Sequence, residues 1–292
     1  MFEDAFELYF QYAPDEDWRI RFGRERILLD DQRYVGGVGW RQNEQTYDGA
    51  SLLYKGFANT EVFYSYVNNV NRIFGREVTA GDHDQDTHLL NVNVGLTDAW
   101  KVIRYTYIIN NEDAPAFFTS TFGARLMGTI SSGDSRYKLL GEFATQSDNS
   151  NNPADYDANY FCLEGIWSRQ GFSAGAGFES LGSDNGQGFR TPLATLHAFQ
   201  GWAEQFLSTP GAGIEDLYFK AGYKPGKWNM QLVYRDLSAE RGSGDYGSEI
   251  DVAAAHQLTD RYGLLLKLAS FNADDPPFVD TTKIWVMLTA AF

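Results

Sequence analysis

A single cysteine among 292 residues excludes an intrachain disulfide, so no covalent framework holds this protein together. Long apolar runs are equally scarce. No stretch approaches the ~18 consecutive apolar residues of a membrane helix, and a mean hydropathy of -0.38 is too polar for a helical membrane protein. Basic side chains are outnumbered, with 24 Lys and Arg against 39 Asp and Glu and a net charge of -15. Nucleic acid is therefore excluded as a partner, because backbone binding needs a basic footprint. Histidine occurs only at His83, His88, His197 and His256, without metal-ligand spacing, and no GxSxG-type nucleophile motif appears. The expectation is no catalytic residue, no metal and no cofactor. An export leader is not visible either: Met1 is followed at once by FEDAFELYFQ, which has neither a basic start nor an apolar core.

What the chain does have is glycine (29), aromatics (7 Trp, 17 Tyr, 21 Phe) and a period of two. Alternation marks fifteen strand candidates, at 3–12, 17–26, 47–56, 59–68, 87–97, 99–110, 117–130, 135–147, 156–168, 171–182, 215–224, 227–237, 249–258, 261–271 and 282–292. In WNMQLVYRD, Trp228, Met230, Leu232 and Tyr234 share one face while Asn229, Gln231 and Arg235 share the other. A soluble sandwich would alternate in the same way, with one face buried and one solvated. The loops discriminate. Short turns such as Ala13–Glu16, Thr97–Asp98 and Thr259–Arg261 alternate with long connections such as 27–46, 183–214 and 272–281. Tight turns on one rim and extended loops on the other is the pattern of outer-membrane barrels. Trp18, Trp100, Trp228 and Tyr262 follow short turns, where an interfacial aromatic girdle would sit. The expected fold is all-β, an antiparallel transmembrane β-barrel with about fifteen strands in this chain and 16–18 in the parent barrel, in the outer membrane of a Gram-negative bacterium.

The closing TKIWVMLTAAF alternates Ile284, Val286, Leu288 and Ala290 up to an aromatic Phe292, as a closing barrel strand does. With Phe292 at the periplasmic rim, every odd strand runs inward and Met1 falls on the extracellular side. A single barrel (1–292) lacking its amino-terminal strand or strands and its signal peptide is the expectation. The rival is an error in one of the fifteen assignments.

Gly23–Gly49, GRERILLDDQRYVGGVGWRQNEQTYDG, is the segment richest in candidate site residues: Arg24, Arg26, Arg33 and Arg41 beside Asp30, Asp31 and Glu44. Arg19 and Arg21 alternate with Trp18, Ile20 and Phe22, so they point inward, and Arg24 then faces lipid unless a bulge at Gly23 resets the phase. The GGVG stretch suggests a segment folded into the barrel mouth. Its guanidiniums either fork onto solute carboxylates or brace the wall in an ion-pair network. Further inward cations are expected at Arg104, Lys220, Arg235 and Lys267. LATLHAFQGWAEQFL, within 183–214, reads either as a short helical plug or as apolar packing against the wall. The acidic runs GDHDQD (81–86), 148–157 and 274–280 fall in expected loops, as solvated charge or as carriers of divalent cations bridging lipopolysaccharide.

The Gly23–Gly49 segment resembles the hallmark segment of the alginate export family of outer-membrane barrels. GWAEQFLSTPGAGIEDLYFKAGY, YRDLSAERGSGDYGSEID and DTTKIWVMLTAAF extend the resemblance over most of the chain from about Arg19. It implies an eighteen-stranded barrel with an electropositive pore passing anionic polyuronate outward. Arg24, Arg26, Arg33 and Arg41, with Asp30, Asp31 and Glu44, would line its constriction, and periplasmic secretion partners would be possible. Two other readings stand beside it. One is a general diffusion porin for small anionic or sugar solutes; the other is a structural or adhesin-type barrel using acidic surface loops.

Overall fold

The computed structural model describes residues 7–41, 43–75 and 77–291. Met1 and Phe292, on which the expectations about the two ends rest, lie outside the described residues. The described chain is strand and loop with two single turns of 3-10 helix, at Pro115–Phe117 and Leu196–Ala198. The strands are β1 (Leu8–Tyr12), β2 (Trp18–Glu25), β3 (Thr46–Phe57), β4 (Thr60–Asn71), β5 (Asp82–Gly95), β6 (Trp100–Ile109), β7 (Thr119–Ser132), β8 (Ser135–Asp148) and β9 (Asp157–Arg169). They continue with β10 (Phe172–Leu181), β11 (Ser183–Asp184), β12 (Gln187–Gly188), β13 (Ile214–Tyr223), β14 (Trp228–Ser238), β15 (Asp245–Gln257), β16 (Tyr262–Ala273) and β17 (Thr281–Ala290). β11 and β12 form a small hairpin of their own, and the other fifteen make one antiparallel sheet in strict chain order. All fifteen expected strands are represented among the described residues, the first (3–12) as Leu8–Tyr12, with positions 3–6 of its expected span outside those residues. GDHDQD is not in a loop, because β5 starts at Asp82 and pairs with the end of β4 (Asn71↔Asp82) past a bulge at Asn68.

Every strand alternates, and burial separates two faces. On β17 the outward Ile284, Val286 and Leu288 are 72%, 70% and 68% exposed, an apolar stripe that water would not tolerate and lipid does. The outer faces of β7 and β13 are built alike, with Phe122 and Leu126 on one and Leu217 and Phe219 on the other. The opposite, inner face carries the polar residues and is covered by loop segments that fold back over it.

By its contacts the chain divides into two compact units. The first comprises Met1–Leu126, Phe143–Asn159 and Phe189–Leu196; the second comprises Met127–Glu142, Tyr160–Gly188 and His197–Phe292. In the first, the connection between β2 and β3 turns inward, burying Ile27, Tyr34 and Val35, and Val35 bridges to Leu193. In the second, the connection between β12 and β13 packs Trp202, Ala203 and Phe206 onto the inner face. Two inward glycines are required by aromatic neighbours. The Tyr105 ring lies where a Cβ on Gly123 would be, and the Tyr218 ring does the same at Gly177. Large side chains thus fit against the inner wall without splaying the strands.

Candidate functional site

In the first unit the inward segment is stitched down by buried polar groups. The Gln45 amide, 1% exposed, donates from Nε2 to the Leu193 carbonyl (3.1 Å) and lies 2.9 Å from the Gly36 carbonyl and 2.7 Å from the Tyr47 hydroxyl. Tyr47 in turn donates to Gly36 O at 2.8 Å. These bonds pin the Gly36 and Leu193 carbonyls together with the Gly36 N–H, which donates to Leu193 O at 2.9 Å, so the buried loop backbone is satisfied. Tyr34 packs against Tyr105 and Tyr107, and the Tyr105 and Tyr34 hydroxyls lie 3.0 Å apart. The tip of the segment carries the acids. Asp31 accepts from the buried Arg125 guanidinium at 2.8 Å, and Asp30 accepts from Asn91 at 2.9 Å. Burial raises the Asp30 carboxyl above its ordinary value, against the opposing pull of Arg125 and Asn91.

In the second unit the descending loop is held by a relay of charged groups. Lys267 donates to His197 Nε2 at 2.6 Å, which leaves the ring proton on Nδ1 to be donated to Glu204 at 3.0 Å. Lys283 also donates to Glu204, at 2.9 Å. Partial burial pushes the Glu204 carboxyl up, but the hydrogen bonds from His197 and Lys283 outweigh it and hold the group down at about 2. Lys267 sits 3.8 Å from the Trp202 ring centroid, a cation–π contact. Beside this relay, the backbone N–H of Ala203 donates to Glu249 at 2.7 Å, and that of Trp202 donates to Asp251 at 3.4 Å. Arg235, 5% exposed, pairs with Asp216 and lies 3.8 Å from Asp251.

The expected site residues do not converge on one ring. Arg19 and Arg21 lie on the inner face of β2, where Arg21 pairs with Glu25 at 3.0 Å and sits over Tyr9. Arg26 and Glu44 pair with each other at 2.8 Å, and Arg41 stacks on Trp40. Arg33 is 1% exposed and therefore packed inside the inserted segment. Arg235 and Lys267 are inward, as just described. Two expectations are corrected. Arg24 keeps the phase of Ile20 and Phe22, faces outward and grips Asp48 with two bonds of 2.7 and 2.8 Å; no bulge intervenes in the β2–β3 register. Arg104 shares the outer face with Val102, Thr106 and Ile108, while Tyr105 and Tyr107 take the inner one. The helical plug is also replaced. Around Trp202 the loop backbone bonds to wall carboxylates instead of to itself, and helix is confined to the single 3-10 turn at Leu196–Ala198.

Sequence reading missed Arg125, Gln45, Tyr47 and Glu204. Only Arg125 had a signal, since it alternates with Phe122, Ala124 and Leu126 in the order Thr121, Gly123, Arg125.

No protein-family model matches the sequence, and no curated relative does. Solved structures do match. OccAB4 of Acinetobacter baumannii superposes with a TM-score of 0.78 at 14% identity, covering 97% of this chain and 73% of that one. OccK11 (OpdR) of Pseudomonas aeruginosa gives 0.71 at 15% identity, over 94% of this chain and 78% of that one. OpdK of Pseudomonas aeruginosa, solved with vanillate, gives 0.74 at 13% identity, over 94% and 76%. The fold is that of an outer-membrane β-barrel porin. The resemblance to the alginate export family is overturned by these neighbours, which are Occ-type porins. The physical ground agrees: Arg24, Arg26 and Arg41 of the supposed hallmark segment are engaged in separate local contacts rather than gathered at a constriction.

Proposed function

We propose that this chain is a passive outer-membrane channel for small anionic solutes, with small carboxylates as the substrate class. The observation that carries the reading is a set of inward cations near the short-turn rim. In the first unit these are Arg19 and Lys101; in the second, Arg136 and Lys138. All four are exposed, and none forms an ion pair with a described residue, unlike the neutralised Arg125 and Arg235 further along the strands. Fixed cations on a wall with low-dielectric surroundings concentrate anions at the mouth and set the sign of ion preference. The vanillate bound by OpdK is an aromatic carboxylate, which fits that sign.

The test is the reversal potential of the reconstituted protein in a planar bilayer under a KCl gradient. Anion preference is expected, and it should fall when Arg136 and Lys138 are both changed to Gln. A cation preference in the unmutated protein overturns the reading.

A further inference from the structure

Arg104 is a charge in the wrong solvent. It lies at the middle of β6, on the outer face, with Val102 and Thr106 beside it along the strand and Val92 directly across in β5. It is exposed and forms no hydrogen bond, ion pair or ring contact with any described residue. Other outward charges keep to strand ends: Arg24, Asp48, Asp157, Arg169, Glu215 and Asp236 each lie within two residues of one. The outward Asp84 and Asp86 belong to the part of β5 that runs past the end of β6, since the Asp86 N–H bonds to the Asn110 carbonyl. Among the described residues Arg104 is therefore the one charge set inside the apolar band. Guanidinium on a lipid-facing strand is costly at mid-depth and tolerable only where its head reaches an interface or an anion.

We infer that Arg104 binds the phosphate of an anionic phospholipid in the leaflet on the short-turn side of the membrane. Trp100, four residues nearer the short turn on the same face, marks that interface. At about 3.3 Å of rise per residue and a tilt of about 40°, the two lie about 10 Å apart along the membrane normal. A snorkelling Arg stem carries its head most of that way and presents a fork matched to phosphate oxygens. The other rim is unsuitable for a lipid phosphate, because Asp84, Asp86, Glu112 and Asp113 crowd it with negative charge. A second copy of the chain is disfavoured as the occupant. Its apolar band offers no carboxylate at this depth, and its strand carbonyls are spent in the ladder.

The test counts lipids retained by the intact, folded protein in native mass spectrometry, using mixed micelles of phosphatidylglycerol and phosphatidylcholine. Wild type is expected to retain phosphatidylglycerol with about tenfold preference, R104K to keep part of it and R104L to lose it. R104L replaces a charge by an apolar residue in an apolar band, so folding is not at risk, and heat-modifiable gel mobility verifies it. Equal preference in wild type and R104L overturns the inference. So does an oligomer in wild type that becomes a monomer in R104L, which would assign the face to a second copy. Neither outcome touches the channel reading, which rests on the inner face.

Discussion

Replacing Gln45 by Ala should free the inserted segment of the first unit while leaving the strands intact. The Gln45 amide has two hydrogens, and its neighbours are the Leu193 and Gly36 carbonyls and the Tyr47 hydroxyl. Losing two buried hydrogen bonds costs about 1 kcal/mol each net, ~2 kcal/mol in all, with no added penalty, because the Leu193 carbonyl keeps the Gly36 N–H (2.9 Å) and the Gly36 carbonyl keeps the Tyr47 hydroxyl (2.8 Å). Spent entirely on the docked-to-released equilibrium of the segment, this raises the released population about 30-fold. Arg33 provides the readout. At 1% exposure its peptide bond is shielded from trypsin while the segment is docked, whereas Arg41 in the same connection is exposed and serves as an internal control. When opening and closing are fast relative to cleavage, the cleavage rate tracks the open population. Cutting after Arg33 in the folded, reconstituted Q45A protein should therefore accelerate by that factor, with little change after Arg41. Arg33 cleavage unchanged from wild type would refute the assignment of these bonds as the clasp. Equal acceleration at both sites would instead mean that the whole connection had unfolded.

Two further outcomes follow from the second unit. The Glu204 carboxyl is held at about 2 against an ordinary 4.5, so its contribution to stability is complete above pH 4.5 and fades as pH falls toward 2. The denaturation midpoints of wild type and E204Q should differ by a constant amount from neutral pH down to about pH 5, then converge below it; a gap that widens on acidification contradicts the His197–Glu204–Lys283 geometry. Gly177→Val drives a side chain into the Tyr218 ring and should cost ~1–3 kcal/mol by overpacking, read as a lower refolding yield in detergent. Gly186→Val, at an open position, should lower the yield only through its left-handed backbone angle of 74°.

The strands were legible because a wall with lipid on one side and water or loop on the other imposes a period of two on every strand, and one-residue slips invert it. Which parity faces inward was harder to read. On β6 both parities look apolar: Val102 and Ile108 on one, Ile103, Tyr105, Tyr107 and Ile109 on the other. The inner face there is aromatic because Tyr34 lies on it, a contact about seventy residues away in the chain that no local pattern announces. Arg104 was misassigned for that reason. The clasp was invisible for the same one, since Gln45 and Leu193 are 148 residues apart. The loop around Trp202 misled in another way. Its apolar spacing suits a helix, but Glu249 and Asp251 accept the backbone N–H groups that a helix would have used.

Each strand of the large sheet pairs only with its neighbours in sequence, apart from β10 and β13, which are joined across the loop carrying the β11–β12 hairpin. A wall ordered in this way can be laid down one hairpin at a time. The entropy of closing each new pair depends on the length of one connection, not on how much sheet already exists. Lengthening a long loop therefore slows a single step by a small logarithmic amount and leaves every other step untouched. The rim that carries these loops can therefore vary in length at only a small logarithmic cost to the assembly of the wall.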